Sequence, residues 1–450
     1  MRAFVYATSI ALMGNAHAQW IPAGMPFEAP DNHVFCFTVD TATTTLYIGG
    51  QLRNEQEQCC VLQYSAGSWS QLGYFNNYAY AACMYHDTLV VGGAFTTVNG
   101  QSLPYIAYYD GTVWQPFGTF EGSVRELKVI GGELIAAGDF DQVDGASCIA
   151  VAKRVGQHWE QVGDIVNTSG GSSHIIRSIG EYQGNLVVGG TFELNNIRYA
   201  MRFDGSTWHQ FADGIFGSNN DITAIQEYQG DLYIGGTIEI SAGNAGHAIM
   251  RWDGQEFHSL GVGPQLINGS YQYPGWVSAL VVHRGKLIAG GAFQFANNVP
   301  ASLVAAWDGT EWCGVGGYTD GGVISLGVFQ DTLWAGHGGG DGTFNGLDMN
   351  NVAKYIWPEY ADTCSDGTID VAELRVSKQI RVWPNPADDR LSMDWGSFEG
   401  DETGWALRNA QGQCVRRGVS RQTMMDVSEL PAGLYLLSAK GSAPLKVLIE

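Results

Sequence analysis

Leu46-Tyr-Ile-Gly-Gly50, followed by a turn at Gly67 and then Trp69, sets a pattern that returns along the whole chain. The glycine-tipped stretch recurs at Leu89-Val-Val-Gly-Gly93, Leu134-Ile-Ala-Ala-Gly138, Leu186-Val-Val-Gly-Gly190, Leu232-Tyr-Ile-Gly-Gly236 and Leu287-Ile-Ala-Gly-Gly291, with a decayed copy at Leu333-Trp-Ala-Gly-His337. Downstream of each comes an alternating strand, a turn and an aromatic residue. Asp110-Gly111 precedes Trp114, Asp204-Gly205 precedes Trp208, Asp253-Gly254 precedes Phe257, and Asp308-Gly309 precedes Trp312, with Val155-Gly156 before Trp159 as a variant. Asp-Gly between two strands predicts a tight hairpin with positive φ at both residues. The fixed offset from turn to aromatic is what a constant hairpin register produces. Each repeat therefore reads as four strands: one such as Val124–Ile130, the one ending at the glycine pair, one such as Cys148–Lys153, and one that starts at the aromatic.

A self-similar period of about 45 residues marks a repeat architecture, and four strands per repeat predict a β-propeller, with a solenoid as the runner-up. The two ends favour the propeller. The seventh repeat runs out at Val352–Trp357 without an aromatic-led fourth strand, and Trp20-Ile-Pro-Ala-Gly24 has the spacing of Trp69-Ser-Gln-Leu-Gly73. If the N-terminal segment fills the last blade, the ring closes and leaves no open edge. The expected fold class is all-β: a seven-bladed β-propeller followed by a small C-terminal β-sandwich.

Composition agrees. Charged residues make up only 15% of the 450, against 61 glycines and 12% aromatics, as expected of strands joined by tight turns. A net charge of -22 argues against nucleic acid as a partner, because phosphate binding needs a basic surface, and leaves room for calcium or a basic partner. Arg2, the apolar run Ala3–Gly14 and Ala16-His17-Ala18 read as a secretory signal peptide, residues 1–18, with Gln19 as the mature start. No later stretch approaches the apolar length of a membrane-spanning helix. Eight cysteines in a chain bound for an oxidising compartment predict disulfides rather than a metal cage, with the connectivity open.

The repeats of Trp20–Trp357 resemble the kelch family: Leu-Tyr-Ile-Gly-Gly, a strand ending in Tyr-Asp-Gly, then Trp. That likeness implies a propeller over residues 19–358 and no particular activity, because propellers host many functions. The Tyr/His ligand set of kelch-type copper oxidases does not assemble from spacing here. After a polar linker, 359–379, residues 380–450 show short alternating strands that predict the sandwich, immunoglobulin-like in kind. This stretch resembles the C-terminal sorting domain of the type IX secretion system of Bacteroidetes. The resemblance rests on Pro384-Asn385-Pro386, a hairpin at Gly412, Gly433-Leu-Tyr435 and a terminal apolar strand led by Lys446. It implies the type IX machinery as a partner, passage through the periplasm, and a secreted or outer-membrane surface-attached product.

Catalytic motifs are absent: the chain holds no GxSxG, HExxH or phosphate-binding glycine loop. Asp139-Phe-Asp141-Gln-Val-Asp144-Gly145 resembles a calcium loop but lacks glycine at its sixth position, and aligns with the repeat segment Ala94–Gly100. In the linker, Asp362, Asp366, Asp370 and Glu373 occupy positions 1, 5, 9 and 12 of an EF-hand-like loop, with Gly367 at six; calcium is the one cofactor this admits. The Leu-to-Leu spacing of 43 to 46 residues lengthens to 52 before Leu186 and 55 before Leu287, through expanded connections at 164–173 and 264–276. Such connections share a propeller face with the loops after the glycine pairs, and long loops on a rigid scaffold carry recognition. Tyr271, Tyr273 and Trp276 in one of them, with Tyr74, Asn76 and Tyr78 in its equivalent after the first repeat, suit sugar rings; packing of their own loops is the plainer reading. The expected function is a non-enzymatic binding or adhesion module for a glycan or surface protein. Against it stand a polysaccharide lyase or hydrolase with a central acidic pocket, and a purely structural surface component.

Overall fold

The computed structural model describes residues 20–356 and 381–449, apart from 27–31, 55–57, 169–173, 212–213, 218–219, 269–270, 298, 302, 316–321, 339–342, 345–346, 349–350, 384–385, 395–403, 410–413, 420–423 and 440–444. The chain divides into two compact units, Met1–Ser365 and Asp366–Glu450. The stretch read as a signal peptide and the proposed calcium residues Asp362, Asp366, Asp370 and Glu373 lie outside the described residues.

The larger unit is a succession of four-stranded antiparallel meanders. They open at His33–Asp40, Ala79–Tyr85, Val124–Ile130, Ile175–Tyr182, Asp221–Tyr228, Trp276–His283 and Gly322–Phe329, and in each the next strand carries the glycine pair or its variant. The meander that starts at Gly322 continues through Thr332–Gly338 and Val352–Tyr355 and takes its outer strand, Trp20–Pro22, from the other end of the chain. There Trp20 lies opposite Tyr355 and Pro22 opposite Ala353.

Three repeated contacts join each meander to the next. The first glycine of a pair leaves room for the neighbour's β-branched residue: a Cβ on Gly92 would lie 2.5 Å from Val124, on Gly235 2.7 Å from Val277, and on Gly336 2.7 Å from Val34. The last of these runs from the final meander back to the first. The aromatic of each fourth strand packs in the gap and, wherever it is tryptophan, donates its indole N–H to a carbonyl of the preceding meander, as in Trp114 to Leu72 (3.0 Å), Trp208 to Val162 (2.8 Å) and Trp312 to Leu260 (3.1 Å). Trp20 bonds Val315 (2.9 Å) and Trp69 bonds Ala23 (3.0 Å), which carries the series across the chain's own start. The apolar cores lie between meanders, one of them joining Trp334 and Val352 to Val34, Ile48 and Leu62.

Two expectations need correction. The disulfide expectation holds only in part: among the described residues Cys36, Cys60, Cys83 and Cys148 are free thiols, as is Cys414 in the smaller unit, whereas Cys313 is disulfide-bonded. The adjacent Cys59 and Cys60 alternate across their strand, one entering the core shared with the second meander and the other the core shared with the last. The Asp-Gly turns are not hairpins with two left-handed residues. Only glycine has positive φ (97° at Gly111, 95° at Gly205), while Asp110, Asp204, Asp253 and Asp308 each accept two backbone N–H bonds from the residues two and three places on. The carboxylate caps the turn in place of a second positive φ.

In the smaller unit, two sheets share one core. Arg381–Trp383, Arg390–Asp394 and Met424–Asp426 form one; Cys414–Val419, Gly404–Arg408, Gly433–Ala439 and Leu445–Ile449 form the other. Leu391, Met393 and Met425 meet Trp405, Leu407, Leu437 and Val447 between them. Gly433 begins the strand carrying Tyr435, which is buried and donates its hydroxyl to the Pro431 carbonyl at 2.7 Å. Lys446 lies on the last strand opposite Leu436, and Pro386 is exposed. Pro384, Asn385 and Gly412 lie outside the described residues.

Candidate functional site

The second glycine of each pair shapes the site. A Cβ on Gly50, Gly93, Gly190 or Gly236 would lie 1.9–2.1 Å from a carbonyl at or just before the start of the same meander's first strand. That approach coincides with a register shift at the same place in every first strand: between Val34 and Cys36, Ala79 and Ala81, Val124 and Glu126, Ile176 and Ser178, Ile222 and Ala224, Val277 and Ala279, and Val323 and Ser325. A bulge leaves one residue unpaired and re-aims its side chain. The residues so placed are Phe35, Tyr80, Arg125, Arg177, Thr223, Ser278 and Ile324, and all of them line one cavity of about 460 Å³. The first strands of all the meanders contribute to it.

The cavity is chemically lopsided. Phe35 and Tyr80 are in ring contact at 5.4 Å, and the Arg125 guanidinium lies 4.8 Å from the Tyr80 centroid. Arg125 pairs with Asp139 at 3.1 Å and Arg177 with Asp221 at 2.6 Å, and Lys128 donates to the Ile179 carbonyl at 3.2 Å. Glu126 is the one carboxylate in the lining. Burial pushes it up to about 7, against the pull of Lys128. Cys36 also lines the cavity and, pushed up to about 12 by burial with Glu126 adding to the rise, is a thiol rather than a nucleophilic thiolate. The lining therefore differs from the acidic pocket of the enzymatic alternative: three cations stand beside a single carboxyl.

The hairpins after the glycine pairs and the connections leaving the aromatic strands lie together. Each hairpin after a glycine pair packs on the connection leaving the previous aromatic strand: Val98 pairs with Phe75, Val143 with Phe120, and Pro264–Asn268 with Phe295–Ala296. An amide or carboxylate at the hairpin tip latches the two together. Asn99, Asp144, Asn195 and Asn297 accept the backbone N–H of Tyr74, Thr119, Val166 and Val262 at 2.7–3.0 Å. Asp144, from the calcium-like stretch, is therefore a latch. The sequence shows these residues as a recurring Asn-Gly, Asp-Gly or Asn-Asn without revealing what they hold.

The proposed sugar-binding residues separate into different roles. Tyr74 is 44% exposed and Trp276 43% exposed. Asn76 is spent on the loop: its carboxamide oxygen accepts the N–H groups of Thr96 and Thr97, and its nitrogen donates to the Thr96 hydroxyl. Tyr78 reaches the cavity lining, 6.1 Å from Phe35 and 6.0 Å from Tyr80. Tyr271 and Tyr273 lie on Tyr271–Pro274, which pairs with Pro264–Asn268. Asp253, Glu256 and His258 converge closely enough for a cation. His258, however, bonds Asp253 at 2.7 Å just as His209 bonds Asp204, where no such carboxylate cluster is found among the described residues. The pair is a turn lock. Among the described residues no helix is long and apolar enough to cross a membrane.

Comparison with known proteins divides the chain in the same two parts. Residues 81–231 match the Rax2 C-terminal beta propeller domain, and residues 381–448 match the secretion system C-terminal sorting domain. The chain carries a β-propeller region and a type IX sorting tail. That tail marks a protein secreted by the type IX system to the cell surface or beyond. No curated protein matches the chain. Among solved structures it is similar to PorZ of Porphyromonas gingivalis, described as an essential surface component of the type IX secretion system, at 13% identity over 95% of this chain and 60% of that one, TM-score 0.37. It is also similar to the extracellular domain of BT4673 from B. thetaiotaomicron, at 14% identity over 97% and 59%, TM-score 0.44. A third is the propeller of the trilobed protease of Pyrococcus furiosus, described as having an open velcro topology, at 11% identity over 64% and 85%, TM-score 0.36. The chain spans about 60% of the length of the first two.

Proposed function

We propose that this protein is an extracellular binding module: a seven-bladed, kelch-like ring that presents a ligand site at its axis, joined to an immunoglobulin-like tail that directs its export. On this reading residues 1–18 are removed on the way to the periplasm, and the product is released or held at the outer-membrane surface. Pro384, Asn385, Pro386, Gly412, Gly433, Tyr435 and Lys446 carry the sorting signal, with Tyr435 and Gly433 acting through the fold of the last hairpin. The observation that carries the binding function is the set of bulged residues at one cavity. A structural ring would fill equivalent positions alike, whereas here aromatic, cationic and hydroxyl side chains succeed one another. Tyr74, Tyr78, Tyr271, Tyr273 and Trp276 extend that site over the loop face as stacking surfaces for a saccharide.

A glycan-array screen of the mature full-length chain tests this, run with calcium and with chelator beside a Tyr271→Ala/Tyr273→Ala/Trp276→Ala variant. Binding that is lost in the folded variant supports a saccharide face; no binding to any glycan sinks that ligand class. A fall in binding with chelator would support cation binding at Asp362, Asp366, Asp370 and Glu373. One feature favours the enzymatic alternative: a carboxyl near 7 in a cavity is the kind of group general acid catalysis uses. Release of shortened products from a bound glycan would establish it.

A further inference from the structure

We infer that the axial cavity takes a carboxylated sugar, with the pyranose ring against Phe35 and Tyr80 and its carboxylate at Arg125 and Arg177. The inference rests on the binding function proposed above and adds the ligand's charge and seat. Its first support is charge. In a chain of net charge -22, the cavity lining holds Arg125, Lys128 and Arg177 against Glu126 alone. The partners of the two arginines, Asp139 and Asp221, stand outside the lining. Partly buried cations gathered in a cleft attract an anion more strongly than the same groups scattered on an open surface.

Its second support is an unspent donor. The Nε of Arg125 is buried and, among the described residues, has no hydrogen-bond partner. A buried donor of this kind is costly unless something fills it. A planar guanidinium is also the side chain best matched to a carboxylate.

Its third support is a pair of hydroxyls in the same lining. Thr223 donates its hydroxyl proton to the Val277 carbonyl at 2.7 Å, and Ser178 donates to Ile222 at 3.2 Å. Both hydroxyls keep lone pairs that can accept from a guest's hydroxyl groups. Aromatic, cationic and acceptor groups in one lining together match a ring with an apolar face, one carboxylate and several hydroxyls. The volume, about 460 Å³, suits a small ligand entering end-on and is too small for a wrapped peptide.

Glu126 supplies a second signature. Lys128 on its own strand, Cys36 of the first meander and Cys83 of the second are the titratable groups coupled to it, with Arg125 adjacent in the chain. Ionised Glu126 repels an anionic guest, so affinity falls as pH rises through about 7.

The test is calorimetric titration of the mature full-length protein with digalacturonate and with its uncharged counterpart, digalactose. Digalacturonate is expected to bind at least about tenfold more tightly, with a preference that shrinks in added salt. Arg125→Gln/Arg177→Gln should abolish that preference. Lys128→Met, which disturbs neither arginine–aspartate pair, should reduce it several-fold and guards against misfolding of the double variant. Glu126→Gln should flatten the fall in affinity between pH 6 and 8. Equal affinity for the two sugars would overturn the inference while leaving a saccharide-binding function intact. Failure to bind digalacturonate would overturn it too, as would displacement of digalacturonate by an acidic peptide that binds more tightly.

Discussion

At the scale of single residues, the two glycines of a pair are not equivalent to the other glycines of the chain. Gly93 would place a Cβ 2.1 Å from the Tyr78 carbonyl, a contact with backbone that no rotamer relieves, whereas Gly100 has open space and only its φ of 80° to object. Gly93→Ala is expected to cost several kcal/mol and lower Tm steeply, and Gly100→Ala about 1 kcal/mol; thermal unfolding of the two variants checks this. Glu126 makes a pH prediction. Its folded-state pKa lies above the ordinary carboxylate value, so the native state keeps a proton that the unfolded chain has lost, and stability falls as pH rises from about 4.5 to about 7. Glu126→Gln should remove that slope from a series of denaturant titrations. Sequence reading found the glycines through their recurrence. It missed Tyr105, Ala150, Ala248 and Leu303, all left-handed, with φ from 59° to 75°. Each gives its carbonyl to the second-glycine N–H, or its equivalent, at 2.9–3.0 Å. Their residue types share nothing, because a backbone role needs only a backbone.

At the scale of elements, the turn and the hairpin tip are held by side chains that a strand pattern does not show. Asp110, Asp204 and Asp253 sit well below the ordinary carboxylate range, first because a backbone N–H three residues on bonds the carboxylate, then through bonds from neighbouring side chains. A depressed pKa gives stability that is present above the unfolded value and lost as pH falls through the folded one. The turns should therefore loosen only in strong acid, and Asp204→Ala should show an earlier onset of exchange at the 205–207 amides by hydrogen-exchange mass spectrometry. The hairpin latch gives a companion prediction. Asn99→Ala removes the acceptor of the Tyr74 N–H and should cost about 1–2 kcal/mol, with protection lost on both the 95–103 and 74–78 segments. The four-strand reading came from recurrence of glycines and aromatics. The third strand still begins at Val151, not Cys148, because the left-handed Ala150 precedes it.

At the scale of the whole molecule, the ring depends on three residues from the start of the chain. Trp20 is 2% exposed, lies edge-on to Tyr355 at 5.2 Å and bonds the Val315 carbonyl. Trp20→Ala is expected to cost about 3–5 kcal/mol. Removing Trp20–Pro22 should expose the Val352–Tyr355 edge and promote association, visible by light scattering. A variant lacking these residues that melts and migrates like the parent would show that the ring is held without its closing strand. That closure was legible from the unmatched aromatic at one end and the missing one at the other.

What the sequence determined by itself is everything with a local period: four strands to a repeat, turns between them, the aromatic that seals each gap, and a second domain where the repeat stops. A period survives in a string because each copy meets the same neighbours. The tertiary structure alone decided what sits at the axis. Phe35, Tyr80, Arg125 and Arg177 are 45 to 52 positions apart and come together only when bulges turn them inward around a closed ring. Their differences, invisible as scatter between repeats, become the polarity of a single cavity.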